Sequence, residues 1–119
     1  MLIKRGEIYS ADLIEKDTKG AEIGKIRPVL VVQANSWNDI LASTIIVPLS
    51  SRLPTYISPR SVVLRKDESS LDKESSVVFS QIRSIDKSRL QKKIGKLPAE
   101  KMKAVNKALS LTLGLESID

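Results

Sequence analysis

Pro28-Val29-Leu30-Val31-Val32-Gln33 (PVLVVQ) is the stretch on which the fold turns. It is a continuous apolar run rich in β-branched residues, the pattern of a strand covered on both faces. Upstream, Gly6–Leu13 (GEIYSADL) alternates loosely, with Ile8, Ser10 and Asp12 on one face and Tyr9, Ala11 and Leu13 on the other. Downstream, Thr44–Leu49 (TIIVPL) is a second apolar run; its Pro48 cannot donate to a ladder, which predicts an edge or a bulge there. Ser61–Arg65 (SVVLR) and Ser75–Gln81 (SSVVFSQ) follow, and Lys92–Leu97 (KKIGKL) adds a short sixth strand. No helix-length crossover separates these runs, so they fit a small antiparallel barrel better than a parallel sheet.

A helix closes the chain. Pro98 suits a first helical position, where a missing N–H costs little. Met102, Val105, Leu109 and Thr112 or Leu113 recur at helical spacing, and Gly114 stands where a C-terminal cap belongs. This stripe reads as core or dimer packing.

The chain has 119 residues, which predicts one domain, 1–119, with a single modest core. No run approaches the length of a membrane span, and the first residues lack the apolar stretch of a signal peptide, so a cytoplasmic location is expected. Cysteine and histidine are both absent. Disulfides, thiolate zinc sites, cysteine nucleophiles and serine–histidine chemistry are therefore excluded. Catalysis, if any, rests on Arg, Lys, Tyr, Asp, Glu, Ser or Thr. Asp67-Glu68 and Asp72-Glu74 cluster in what reads as a solvated loop, so neither a metal nor another cofactor is expected.

Twenty basic residues stand against fourteen acidic ones, for a net charge of +6. The segment from Asp86 to Lys107 holds eight lysines and arginines and only two acids, Asp86 and Glu100, so it carries the whole excess. An anionic partner or a merely solvated face would both explain this.

Two connections are long for such small strands, Ile14–Ile26 and Ser51–Arg60, and long loops on a rigid barrel are where binding and catalysis concentrate. Arg27 sits just before the most hydrophobic strand, where Pro28 holds it extended; its guanidinium fork suits phosphate oxygens, or else pairs structurally with Glu22 or Asp39. Ser50-Ser51 closes the third strand, offering hydroxyls and backbone N–H groups, although such pairs are commonly turn formers. Gln81 can present both a donor and an acceptor to a base edge, and Arg83 either joins it or braces the same corner. Asp86 is placed to cap the turn Lys87-Ser88-Arg89. Trp37 and Tyr56 can stack on splayed bases, but four aromatic residues in the chain make a stacking platform improbable.

Taken in register, Lys4-Arg5-Gly6-Glu7-Ile8-Tyr9, the segment Gly20–Gln33 with its Arg27-Pro28-Val29, Thr44–Ser51 and Gln81–Leu90 resemble the MazF/PemK/Kid toxins of bacterial toxin–antitoxin systems. The resemblance spans nearly the whole chain. It implies a mainly β (α+β) fold, a small SH3-like antiparallel β-barrel of the CcdB/MazF kind with a C-terminal α-helix. It further implies a homodimer and a metal-independent, sequence-specific endoribonuclease acting on single-stranded RNA to inhibit translation and growth. The expected partner is a cognate acidic, MazE-like antitoxin. The catalytic positions of the MazF branch fall on Arg27 and Ser51, and RNA-groove positions fall on Glu22, Lys25, Pro28, Ser50, Gln81 and Arg83. The catalytic set of the Kid branch is missing, since its positions hold Ala21, Val78 and Ser80.

The residue chemistry agrees with that expectation. RNA is cut when its 2′-hydroxyl is aligned with the adjacent phosphate and the charge of the transition state is stabilised. Arg27 and the Ser51 hydroxyl can supply that stabilisation, and the products would be a 2′,3′-cyclic phosphate and a 5′-hydroxyl. Two other classes of function share the barrel: a non-catalytic poison like CcdB, which binds DNA gyrase, and a plain nucleic-acid-binding SH3-like module. The gyrase-binding poison would depend on its C-terminal helix and would keep its toxicity on loss of Arg27.

Overall fold

Among the residues that the computed structural model describes, 2–13, 26–54 and 61–117, seven strands form one antiparallel sheet. They are β1 (Glu7–Asp12), β2 (Ile26–Val31), β3 (Ser43–Ser50), β4 (Val63–Leu64), β5 (Ser75–Val77), β6 (Arg83–Asp86) and β7 (Leu90–Lys96). The order is β4-β5-β3-β2-β1-β7, with β6 also paired to β3. Two short helices, α1 (Asn35–Asn38) and α2 (Lys66–Ser69), interrupt the strands, and α3 (Ala99–Thr112) ends the chain.

The apolar run at β2 is covered on both sides, as its composition demands. Val29, Leu30 and Val31 have no exposed surface. Leu30 and Val32 join a core with Ile8, Val47, Leu49, Phe79 and, from α3, Val105 and Ala108. Val29 and Val31 face the other way, into a second core with Tyr9, Ala11, Leu13, Ile46 and Ile85. The same alternation splits β1, with Ile8 on one side and Tyr9 and Ala11 on the other. One strand thus forms the common wall of two hydrophobic compartments.

Pro48 is not at the edge of the sheet. It pairs with Val29 on β2, in the middle of β3. Its position is explained by the other flank of β3, which pairs with β6 from Ser43 to Ile46 and with β5 only from Leu49. Pro48 falls at the change of partner, where no ladder donor is required. Its carbonyl accepts from Val78 N at 2.9 Å, tying the seam together.

The expected fifth strand is shorter than its sequence run. β5 stops at Val77, and Phe79–Gln81 forms a 3₁₀ turn that drops Phe79 into the core. The chain then re-enters the sheet as β6, a strand in what the sequence reads as a turn. The Asp86 carboxylate accepts from Ser88 N at 2.9 Å and caps the next turn, as expected. α3 starts one residue later than predicted, with Pro98 as the extended cap residue before Ala99. Gly114 takes a φ of 72°, and Leu115 N donates to Ser110 O while Gly114 N donates to Leu111 O, a Schellman closure.

Candidate active site

Arg27 is the second residue of β2, level with Ala11 of β1. The β2–β3 register, Val29 with Pro48, continues to place Arg27 level with Ser50 at the end of β3. The sheet therefore brings together an arginine and a serine turn that lie far apart in the chain. A cleft of about 450 Å³ opens there, lined by Arg27, Ser50, Ser51, Arg52, Ser76 and Gln81.

The serine turn is held by its own hydrogen bonds. Arg52 N donates to Ser50 Oγ at 3.1 Å, and Ser76 Oγ donates to Arg52 O at 2.8 Å. Ser76 pairs with Ser50 across β5 and β3, so the turn is fixed from both sides. Ser51 is exposed, and its hydroxyl bonds to no other described residue. A free hydroxyl on a braced turn suits a ligand oxygen.

Arg27 is half-buried, and its Nε is buried without a hydrogen-bond partner among the described residues. Nor does it form an ion pair among them, and Asp39 in particular does not engage it. Glu22, the other structural partner that the sequence offers it, lies outside the described residues. A half-buried guanidinium without a described counter-charge is suited to an incoming anion.

A second cleft, of about 280 Å³, lies against the same pair. Arg27 and Ser51 line it together with Leu71, Asp72, Lys73 and Ser75, and its apolar surface comes from Pro28, Leu49 and Ile94. Pro28 thus contributes to this cleft and not to the first. Sequence reading missed Arg52, Ser76, Asp72 and Lys73. The only local signal was the adjacency of Arg52 to the serine pair, since the rest depends on how β5 folds back.

Gln81 ends the 3₁₀ turn after β5 and reaches the first cleft. Arg83 lines neither cleft. It stands on β6 opposite Ile46, where burial, and then the charge of Arg89, pull its pKa below the usual arginine value. Trp37, on α1, is half exposed and also stands apart from both clefts. Glu22, Lys25, Ala21 and Tyr56 lie outside the described residues.

The charge of the basic segment is partly neutralised by acidic neighbours. Lys93 pairs with Glu7 at 2.6 Å, Lys101 with Glu68 at 3.2 Å, Lys103 with Glu100 at 3.2 Å, and Lys107 with Glu116. At least half of the basic side chains counted there thus have carboxylate partners among the described residues. Glu7 also accepts from Lys4 N and from the Tyr9 hydroxyl. Burial alone would raise the Glu7 pKa, but these hydrogen bonds and the Lys93 charge hold it below the usual value. The same burial and the Glu7 charge push Tyr9 up to about 12. Glu68 is likewise engaged, accepting from Arg65 N, and no group of three or more acidic side chains among the described residues is arranged to hold a metal ion.

Residues 4–113 match the family model described as PemK-like, MazF-like toxin of type II toxin–antitoxin system. The chain is 37% identical, over 98% of its length and 96% of the relative's, to a protein of Staphylococcus saprophyticus named Endoribonuclease MazF. The crystal structure of MazF (Form-I) from Deinococcus radiodurans superposes with a TM-score of 0.76 at 25% identity, covering 96% of this chain and 98% of that one. An endoribonuclease in complex with its cognate antitoxin, from a mycobacterial species, gives a TM-score of 0.73 at 24% identity over 98% of this chain and 97% of that one.

Proposed function

This chain belongs to the PemK-like, MazF-like toxins of type II toxin–antitoxin systems, and on that premise we propose that Arg27 and Ser51 carry its endoribonuclease reaction. The observation that supports the assignment is their meeting across β2 and β3 at a cleft in which neither side chain is neutralised by a described neighbour.

The substrate is single-stranded RNA with its scissile phosphate beside Arg27. The guanidinium donates to the non-bridging oxygens as their charge grows, and the Ser51 hydroxyl donates to one of them. The ribose 2′-hydroxyl gives up its proton as its oxygen attacks phosphorus, the bond to the 5′-oxygen breaks, and the leaving oxygen takes up a proton in its place. The products are a 2′,3′-cyclic phosphate and a 5′-hydroxyl, and the 2′-hydroxyl requirement restricts the enzyme to RNA. Gln81 and Ser50 contact the nucleotide in the larger cleft, and Glu22, Lys25 and Arg83 extend the groove.

The protein acts in the cytoplasm, as a single domain of residues 1–119, and works without a metal. It pairs with a second copy of itself. Trp37, Ile40, Leu41 and Ile45 support that pairing, because all are exposed around α1 and the start of β3. An acidic antitoxin keeps the activity silent by covering the groove.

The test is incubation of the purified protein with a mixed RNA pool in chelator, beside Arg27→Ala, with cut sites mapped and ends identified. Cutting by the native protein alone, with cyclic phosphate ends, is the expected result. Intact RNA overturns the nuclease reading, and full activity in the variant overturns the role of Arg27. Growth arrest on induction without antitoxin, lost in the same variant, separates this reading from a gyrase poison.

A further inference from the structure

We propose that the smaller cleft, on the Leu71–Ser75 side of Arg27, is a nucleobase subsite in which Asp72 reads an exocyclic amino group on the nucleotide flanking the cut. This rests on the assignment of the scissile phosphate to Arg27 and Ser51.

Among the described residues, Arg27 and Ser51 are the ones that the two clefts share. A phosphate held by that pair borders both clefts. Attack by a 2′-hydroxyl requires its oxygen, the phosphorus and the leaving oxygen to lie in line, which a stacked strand does not allow. The two flanking nucleotides must splay, and their bases need separate places to go. The cleft geometry offers such a pair of places.

The composition of the smaller cleft suits a flat heterocycle. At about 280 Å³ it falls just below the range of about 300–1,000 Å³ typical of larger ligands. Pro28, Leu49, Leu71 and Ile94 give it apolar walls, while Asp72 and Lys73 place a carboxylate and an ammonium at its rim. Ser75 Oγ donates to Lys73 O at 3.2 Å and so fixes the turn that carries both. The Asp72 carboxylate has no hydrogen bond or ion pair among the described residues, which leaves its acceptors to a ligand.

A carboxylate accepts only. It fits the amino groups of adenine, cytosine or guanine, as carboxylates fit the amino group of cytosine in duplex readout. Uracil carries no amino group: its single edge donor, N3–H, is flanked by two carbonyl oxygens whose lone pairs repel a carboxylate, so it binds Asp72 less well than an exocyclic amino group does. The subsite therefore selects against uracil at one of the two positions beside the cut.

The native protein and Asp72→Asn are compared on one mixed RNA pool, with every cut mapped. In the native pattern uracil is depleted at one flanking position. The asparagine amide can turn its NH₂ toward a carbonyl, so Asp72→Asn raises relative cutting of uracil-bearing sites at least about fivefold at that position alone, the lower end of a two-point base contact. Asp72→Ala, lacking any acceptor, flattens the preference there. Native cutting without uracil depletion, an unchanged pattern in both variants, or a uniform loss across all sites each overturns the subsite. Failure of the native protein to cut any RNA would instead overturn the nuclease reading on which the subsite rests.

Discussion

Arg27 on β2 and Ser51, just past the end of β3, line two clefts at once, and the arginine Nε is buried with no partner among the described residues. Removing one preorganised charge-stabilising donor from a site of this kind costs about 100- to 1,000-fold in rate. Arg27→Ala is expected to lose at least that much cleavage with little change in melting temperature. Arg27→Lys keeps the charge but loses the fork, and recovers only part of the activity. Ser51→Thr keeps the hydroxyl and the activity, whereas Ser51→Ala loses about tenfold or more. Single-turnover cleavage of one defined RNA measures all four.

The buried Glu7–Tyr9 pair makes stability depend on pH at both ends. The folded Glu7 carboxyl has a lowered pKa, so its contribution is present above the unfolded value, near 4.3, and is lost as pH falls through the lower folded one. The folded Tyr9 hydroxyl has a raised pKa of about 12, so its contribution is whole below about 10 and is lost as pH climbs from there to about 12. Urea midpoints across pH should fall at both ends in the native protein. Glu7→Gln flattens the acid limb and Tyr9→Phe the alkaline one, each at a cost of about 1–3 kcal/mol near neutrality.

Lys103 and Lys107 are paired with Glu100 and Glu116 on exposed surface around α3. Such pairs contribute little to stability, about 0–1 kcal/mol. Lys103→Gln and Lys107→Gln should leave both melting and the cleavage pattern nearly unchanged. The salt dependence of RNA binding then reports the few phosphate contacts at the clefts, with a log–log slope of about −0.7 per contact. A slope demanding eight contacts would show that the whole basic segment binds RNA.

Gly95 of β7 lies against α2. A Cβ there would come within 2.8 Å of the Ser69 carbonyl and 3.1 Å of Ser70. Ser70 already holds a left-handed φ of 62°, which leaves the turn little freedom to retreat. Gly95→Ala should destabilise the protein by about 1–3 kcal/mol, as overpacking does. Because the displaced turn leads directly into Leu71–Lys73, the variant should also weaken cutting, which melting and cleavage assays on one preparation would register together.

The strands that build the two cores were legible because their patterns are local. PVLVVQ announced a strand buried on both faces, and the alternation of Ile8 against Tyr9 and Ala11 gave β1 its two sides correctly. The cap at Asp86 and the closure at Gly114 were equally readable, since each depends on residues within a few positions. What escaped was set by pairing at a distance. Pro48 reads as an edge or bulge residue until β5 and β6 are seen to divide one flank of β3 between them. The excess positive charge leaves an anionic partner and a solvated face equally open until Lys93 is found beside Glu7 and Lys107 beside Glu116. Arg27 and Ser51 were singled out from sequence, but the second cleft beside them was not, because Asp72 and Lys73 reach it only through the folding back of α2 and β5.

The burial of both faces of β2 bears on how such a protein can be switched off. Sliding that strand by a single step would exchange Val29 and Val31 for Leu30 and Val32 between two hydrocarbon interiors of different shape, and every neighbouring strand would have to follow. The guanidinium therefore cannot be withdrawn by a change of register. An inhibitor of this enzyme is left with the doorway, and has to occupy the openings that Arg27 borders rather than rearrange the frame around them.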